Sequence, residues 1–181
     1  MDKKICKFII LVLCGVVLVW FFRPNFSVQL SFLGASLEED FSMRRVISFN
    51  EEEGVTQTII EILRENMRNT YNRAVYAGIF YVSSFVLFLV GLFFMDKKFS
   101  VWAWGIAFAF FATSGFIINT LTPLFLNETR ESLGIFGGFV DFVDLSVVFR
   151  YAYWQNLVAL FTMTILNYYT HKGKTNKDVN N

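Results

Sequence analysis

The sequence predicts a membrane all-α fold, four transmembrane helices with a small extracytoplasmic strand-plus-helix domain in the first loop. Three observations carry that expectation. Of 181 residues, 55% are hydrophobic and 23 are phenylalanine, more apolar surface than a soluble domain of this size buries. Apolar runs close to the ~20 residues that cross a hydrocarbon core of ~30 Å occur four times. Every lysine falls in a segment that a four-span layout puts on one side of the bilayer.

Residues 1–22 are read as a cytoplasmic N-terminus and the first span, Ile5 to Phe22. Lys3, Lys4 and Lys7 precede it as in a secretory signal. The apolar core nevertheless runs unbroken to Trp20, Phe21 and Phe22, and no small-x-small cleavage site follows, so a retained anchor is expected. Met1-Asp2 does not fit myristoylation, and the Val-Asn-Asn end carries no prenylation signal. Cys6 and Cys14 lie about 12 Å apart along this helix, too far for a disulfide. They read as small apolar fillers, with palmitoylation of Cys6 as the alternative.

Pro24 ends the first helix, because proline disfavours helix in the residue before it. Residues 23–73 then form the first outer loop. Phe26, Val28, Leu30 and Phe32 alternate with Ser27, Gln29 and Ser31, the period of a strand with one buried face. The polar stretch Ser36 to Ser42 reads as a connector, and Arg44 to Phe49 as a second strand. Val55, Ile59, Ile62, Leu63, Met67 and Tyr71 recur at helical spacing behind Glu51, Glu52 and Glu53, acids that suit a helix N-terminus. Neither proline nor glycine separates this stripe from the second span. One continuous helix from about Val55 to Met95, roughly 60 Å long, is therefore expected.

The second span is placed at 74–95, a cytoplasmic turn with Lys97 and Lys98 at 96–98, and the third span at 99–118. Residues 119–150, with Asn119, Thr120, Thr122 and Pro123 at their start and Glu128, Arg130, Glu131, Asp141 and Asp144 further on, are too charged for hydrocarbon. They read as a second outer loop with an interfacial helix, Phe139 to Phe149. The fourth span is placed at 151–169, with Tyr151, Tyr153 and Trp154 in an outer aromatic belt and Tyr168 and Tyr169 at the inner surface. Residues 170–181, holding His171, Lys172, Lys174 and Lys177, form a solvated cytoplasmic tail. Both termini are thus expected inside, in the plasma membrane.

Chemistry has little material. Asp141 and Asp144, three apart on a helix, would share a face. Such a pair suits a divalent cation or a shared proton, with Arg130 or Arg150 on a lipid phosphate; a solvated acidic face is the plainer reading. His171 has no cysteine partner, and the sequence holds no phosphate loop or zinc-like cluster. No metal and no cofactor is therefore expected. Ser83, Ser84, Thr113 and Ser114 read as helix-packing groups that bond neighbouring backbone. A near-zero net charge, +1, argues against a nucleic-acid partner. The spans lack mid-membrane charges and paired helix breaks, the marks of a transporter. Asn25-Phe26-Ser27 and Asn127-Glu128-Thr129 are sequons, read as chance occurrences.

Four spans with a strand-bearing first loop whose helix runs into the second span resemble the claudin-like tetraspan proteins in architecture. The paired cysteines and tryptophan signature of that family's loop are missing here, and architecture does not carry function. The expected partners are the lipid bilayer and a protein on the extracytoplasmic side. The leading expectation is an interaction module, as accessory subunit of a membrane complex or as an immunity-type protein. A membrane enzyme acting on lipid or lipid-linked substrates, with Asp141 or Asp144 as base, is the alternative. A small oligomeric channel or transporter component comes second.

Overall fold

The computed structural model describes residues 3–32, 35–44, 65, 67–134, 137–138 and 143–175. Its elements are α1 (Lys3–Phe21), β1 (Phe26–Phe32), β2 (Ala35–Phe41), α2 (Arg68–Phe93), α3 (Phe99–Asn119), α4 (Leu121–Leu133), β3 (Val143–Phe149) and α5 (Tyr151–Thr175). Among the described residues three helical segments are long and apolar enough to cross a membrane: Lys4–Phe21, Arg68–Phe93 and the stretch Phe99–Leu133. They match the first three expected spans to within a few residues, except where α2 starts early and α4 extends α3.

The helices run up, down, up and down. Lys7, near the start of α1, pairs with Asp96 in the α2–α3 turn at 2.5 Å. Asn167, late in α5, donates to Ser100 Oγ at the start of α3 at 2.6 Å. The start of α1, the α2–α3 turn and the end of α5 therefore share one end of the bundle, which also holds Lys97, Lys98 and Lys172. The sheet occupies the other end.

Unlike a soluble bundle, this one is apolar outside as well as inside. Phe21, Phe88, Trp104, Phe111, Leu160 and Met163 are wholly buried, while Phe8, Phe93, Trp102, Phe116 and Val158 are each more than 60% exposed. Helices apolar on every face, with large side chains turned outward, are stable only where the surroundings are also apolar. Inside, Phe21 touches Tyr81, Phe85, Phe88 and Phe111. Phe111 stacks on Tyr153, which meets Phe149 at the end of β3. The aromatic core is thus continuous from helices to sheet.

Ser84 Oγ donates to Ala107 O at 2.8 Å, and Trp104 Nε1 to Phe88 O at 3.2 Å, both between α2 and α3. Ser114 and Thr113 hydroxyls bond carbonyls of their own helix. These are packing roles, as the sequence suggests. Close approach between helices of the bundle is set by glycine at two places. A Cβ at Gly91 would run into the Trp104 indole, and one at Gly115 into the Tyr153 ring.

Several expectations fail outside the spans. β1 forms where its two-residue period places it, but its partner is Ala35–Phe41, antiparallel, which overlaps the stretch Ser36 to Ser42 read as a connector. Met43 and Arg44 are helical, and 45–49 lie outside the described residues. The interfacial helix expected over Phe139 to Phe149 does not extend over its described part, 143–149. Val143–Phe149 is instead a strand, antiparallel to β1 on its other side, in a sheet of order β2-β1-β3. As a helix this segment would leave the second edge of β1 without backbone partners, whereas Val143, Leu145, Val147 and Phe149 already alternate with Asp144 and Ser146.

The long helix is broken. Met67 has φ −133° and ψ 56°, so α2 begins at Arg68; the stripe from Val55 to Leu63 lies outside the described residues. Leu121–Leu133 is helical rather than loop. It is separated from α3 at Thr120, because the Pro123 ring would clash with the carbonyl four residues back if α3 continued. α5 continues to Thr175, and His171 is buried in it rather than solvated. Tyr153 is also buried, so only Tyr151 and Trp154 remain as exposed rings near the start of α5.

Candidate functional site

The polar groups of the sheet end gather around one residue. Asn25 sits between the end of α1 and β1, and it is fully buried. Its amide Nδ2 faces Trp20 O at 3.2 Å, Phe21 O at 3.4 Å, Arg23 O at 2.9 Å and Tyr81 Oη at 2.8 Å. Its Oδ1 accepts from Asn156 Nδ2 at 3.0 Å. Its backbone N–H donates to Phe41 O, and its carbonyl accepts from the Arg150 N–H. A helix leaves its last carbonyls without intrahelical partners; here one asparagine serves those of α1 while tying in β2, α2 and α5. Tyr81 Oη donates onward to Phe21 O at 3.2 Å. Nothing the size of a glycan fits on Asn25 in this fold, whereas Asn127, in the second sequon, is exposed on α4.

Above this hub the sheet is clasped by charge. Arg150 follows β3, and its guanidinium meets Glu38 and, at 3.4 Å, Asp40, both on β2. With β1 between the two edge strands, the ion pair crosses the central strand, where Ser27 stands in register with Asp40 and Val148. Ser27 is fully buried, and its Oγ and Asn156 Oδ1 have no hydrogen-bond partner among the described residues.

A second anchor ties α4 to α2. Met67 offers no side-chain cap, and the first turn of α2 holds no acid. Glu128 supplies both from α4, accepting from Asn69 N at 3.0 Å and Thr70 N at 2.9 Å. These are the second and third residues of the helix, where an N-cap side chain binds. Burial pushes the Glu128 carboxyl up, but the hydrogen bonds from Thr70 and Asn69 outweigh it and hold the group below the usual carboxylate range.

The residues singled out from sequence do not converge. Asp144 is exposed on β3, opposite Ser31. It lies six residues from Arg150, about 20 Å along an extended strand. Asp141 lies outside the described residues, and Asp144 stands in a strand, so the two do not share a helical face. Arg130 is exposed in the last turn of α4, and Arg150 is engaged by two carboxylates. Among the described residues no group of three or more histidine, cysteine, aspartate or glutamate side chains is placed to hold a metal ion. Cys6 and Cys14 are buried and free.

Sequence reasoning missed Asn25, Asn156 and Glu128. Asn156 and Asn167 gave a signal, two amides three helical turns apart in an otherwise apolar segment. Asn25 gave none, since its partner lies 131 residues away. No protein-family model, no curated protein and no solved structure matches the chain. The architectural resemblance to claudin-like proteins therefore gains no support from a match, and function is argued from the residues alone.

Proposed function

We propose that this chain is a four-pass protein of the plasma membrane whose sheet-bearing end is an extracytoplasmic module for binding another protein. Accessory subunit of a membrane complex and immunity-type protector are the roles in view. α5 is the fourth span on this reading, and the lysine end, with both termini, is cytoplasmic. The observation that carries it is the construction of the sheet end. Three strands are locked onto the bundle through a buried asparagine hub and clasped by an ion pair, while the groups suited to chemistry are scattered or already paired. A rigid, polar, non-catalytic platform is what recognition of a protein surface needs.

Two measurements test this. A photo-crosslinking residue at Asp40 should capture one discrete protein in native membranes, and the same residue at the outward-facing Phe8 should not. Recovery of the chain alone from Asp40 counts against the module. For orientation, cysteines at Glu38 and Asn127 should react with a membrane-impermeant thiol reagent in intact cells, and cysteines at Lys97 and Lys172 only after permeabilisation. The native Cys6 and Cys14 are first replaced. Labelling of position 97 from outside inverts the topology and removes the module from the exterior.

A further inference from the structure

The lysine end carries a groove of about 490 Å³ between α3 and α5. Val101, Trp102, Gly105 and Thr164 form its wall toward the middle of the bundle, and Tyr168 continues it outward. At its mouth stand Lys98, His171 and Lys172. Lys172 Nζ lies 5.7 Å from the Tyr168 ring centroid, so the ring holds this ammonium at the edge of the groove. Trp102, 71% exposed, and Tyr168, 50% exposed, flank an opening to the outside of the bundle.

We infer that this groove binds an anionic phospholipid of the lysine-side leaflet, phosphate at Lys98 and Lys172 and one acyl chain along Trp102, Gly105 and Thr164. The charge pattern selects the occupant. An apolar channel open to hydrocarbon takes an acyl chain from any lipid, but basic groups at its headgroup end favour a lipid with net negative charge. Gly105 keeps the channel open: a Cβ there would meet Thr164 Cγ2 at 3.6 Å, an ordinary contact, so the glycine is not demanded by helix packing. The inference goes beyond the protein-binding reading, since the groove is at the opposite end from the sheet, but it shares the four-span arrangement.

The test is native mass spectrometry of the full chain released from nanodiscs of equal parts phosphatidylglycerol and phosphatidylcholine. Phosphatidylglycerol should be retained in preference, with one tight equivalent. Lys98→Gln with Lys172→Gln should lower that retention about 30-fold, taking roughly 1 kcal/mol for each basic group near the headgroup layer. Gly105→Leu fills the channel while leaving both lysines in place, and it should abolish retention of the tight equivalent. Equal retention of the two lipids, or unchanged binding to the Gly105→Leu protein, overturns the inference. So does displacement of the lipid by millimolar inorganic phosphate, which would make this a site for the free ion. Failed lipid retention together with the expected cysteine labelling pattern refutes the groove and leaves the four-span reading standing.

Discussion

Replacing Asn25 by alanine is the sharpest probe of how the sheet is held on the bundle. The amide has two N–H hydrogens facing four acceptors, so two full hydrogen bonds is the ceiling. The shortest contacts, Tyr81 Oη at 2.8 Å and Arg23 O at 2.9 Å, take the larger share. Tyr81 keeps Phe21 O as an acceptor after the substitution. Asn156 does not fare as well: its Nδ2 loses Asn25 Oδ1, and its own Oδ1 has no partner among the described residues, so a whole buried amide is orphaned. Stranding a buried polar group costs about 1–3 kcal/mol. Adding the lost service to the α1 carbonyls, Asn25→Ala should destabilise by about 3 kcal/mol. An ordinary interhelical hydrogen bond in a membrane protein averages about 0.6 kcal/mol, so the two descriptions are separable. The assay is reversible unfolding in mixed micelles, run as a double-mutant cycle with Asn156→Leu. The double variant should be more stable than the sum of the single effects allows, by about 1–2 kcal/mol, because the leucine removes the amide that the alanine strands. A loss under ~1 kcal/mol for Asn25→Ala, or strict additivity, refutes the hub.

Glu128→Gln should destabilise by about 1 kcal/mol at neutral pH, the usual worth of a helix N-cap. The folded-state pKa of Glu128 is lowered, so its contribution is present above the ordinary carboxylate value and fades as pH falls through the folded one. Thermal midpoints of wild type and Glu128→Gln should therefore draw together as pH falls below the ordinary carboxylate value, about 4.3, and a gap that stays unchanged on acidification until the protein unfolds would show that ionisation is irrelevant. Gly115→Ala should cost about 1–3 kcal/mol by driving Tyr153 off its place against Phe111. Gly78→Ala, where nothing lies within 4 Å of the added carbon, is the control, and equal midpoints for the two variants would sink the close-approach reading.

What the sequence made legible follows from how local each signal is. α1, α3 and β1 are written in runs and periods that need no knowledge of distant chain. β2 was not, because Ala35–Phe41 carries Glu38, Glu39 and Asp40 in a row and has little strand propensity of its own; β1 supplies the template. β3 carries a strand's alternation too, but only the open second edge of β1, far away in sequence, decides for a strand over an interfacial helix. The break at Met67 depends on Glu128, a carboxylate from α4 that replaces a missing local cap. Of the proposed site, Arg150 was visible as a charge, but its carboxylate partners on the far edge strand required the sheet order. Asn25 was legible only as the first letter of a sequon.

The hydrogen bonds of α5 explain why this helix differs from the others. Among the described residues three segments are apolar enough to cross a bilayer on composition alone, and α5 is not one of them. Its Asn156 and Asn167 sit on one face three turns apart, one bonded to Asn25 at the sheet end and the other to Ser100 at the lysine end. Both are buried, so the polarity that lowers its hydropathy faces the bundle interior. Its outward face carries Val158, Phe161 and Ile165, each exposed and apolar. On the four-span reading α5 is thus a helix that suits hydrocarbon on one side and needs α1, Asn25 and α3 on the other. The two amides also fix its register, because sliding α5 by one turn would strand both of them at once. Composition summed along a segment averages over those two faces, and on the four-span reading it understates how well such a helix fits a membrane once its neighbours are in place.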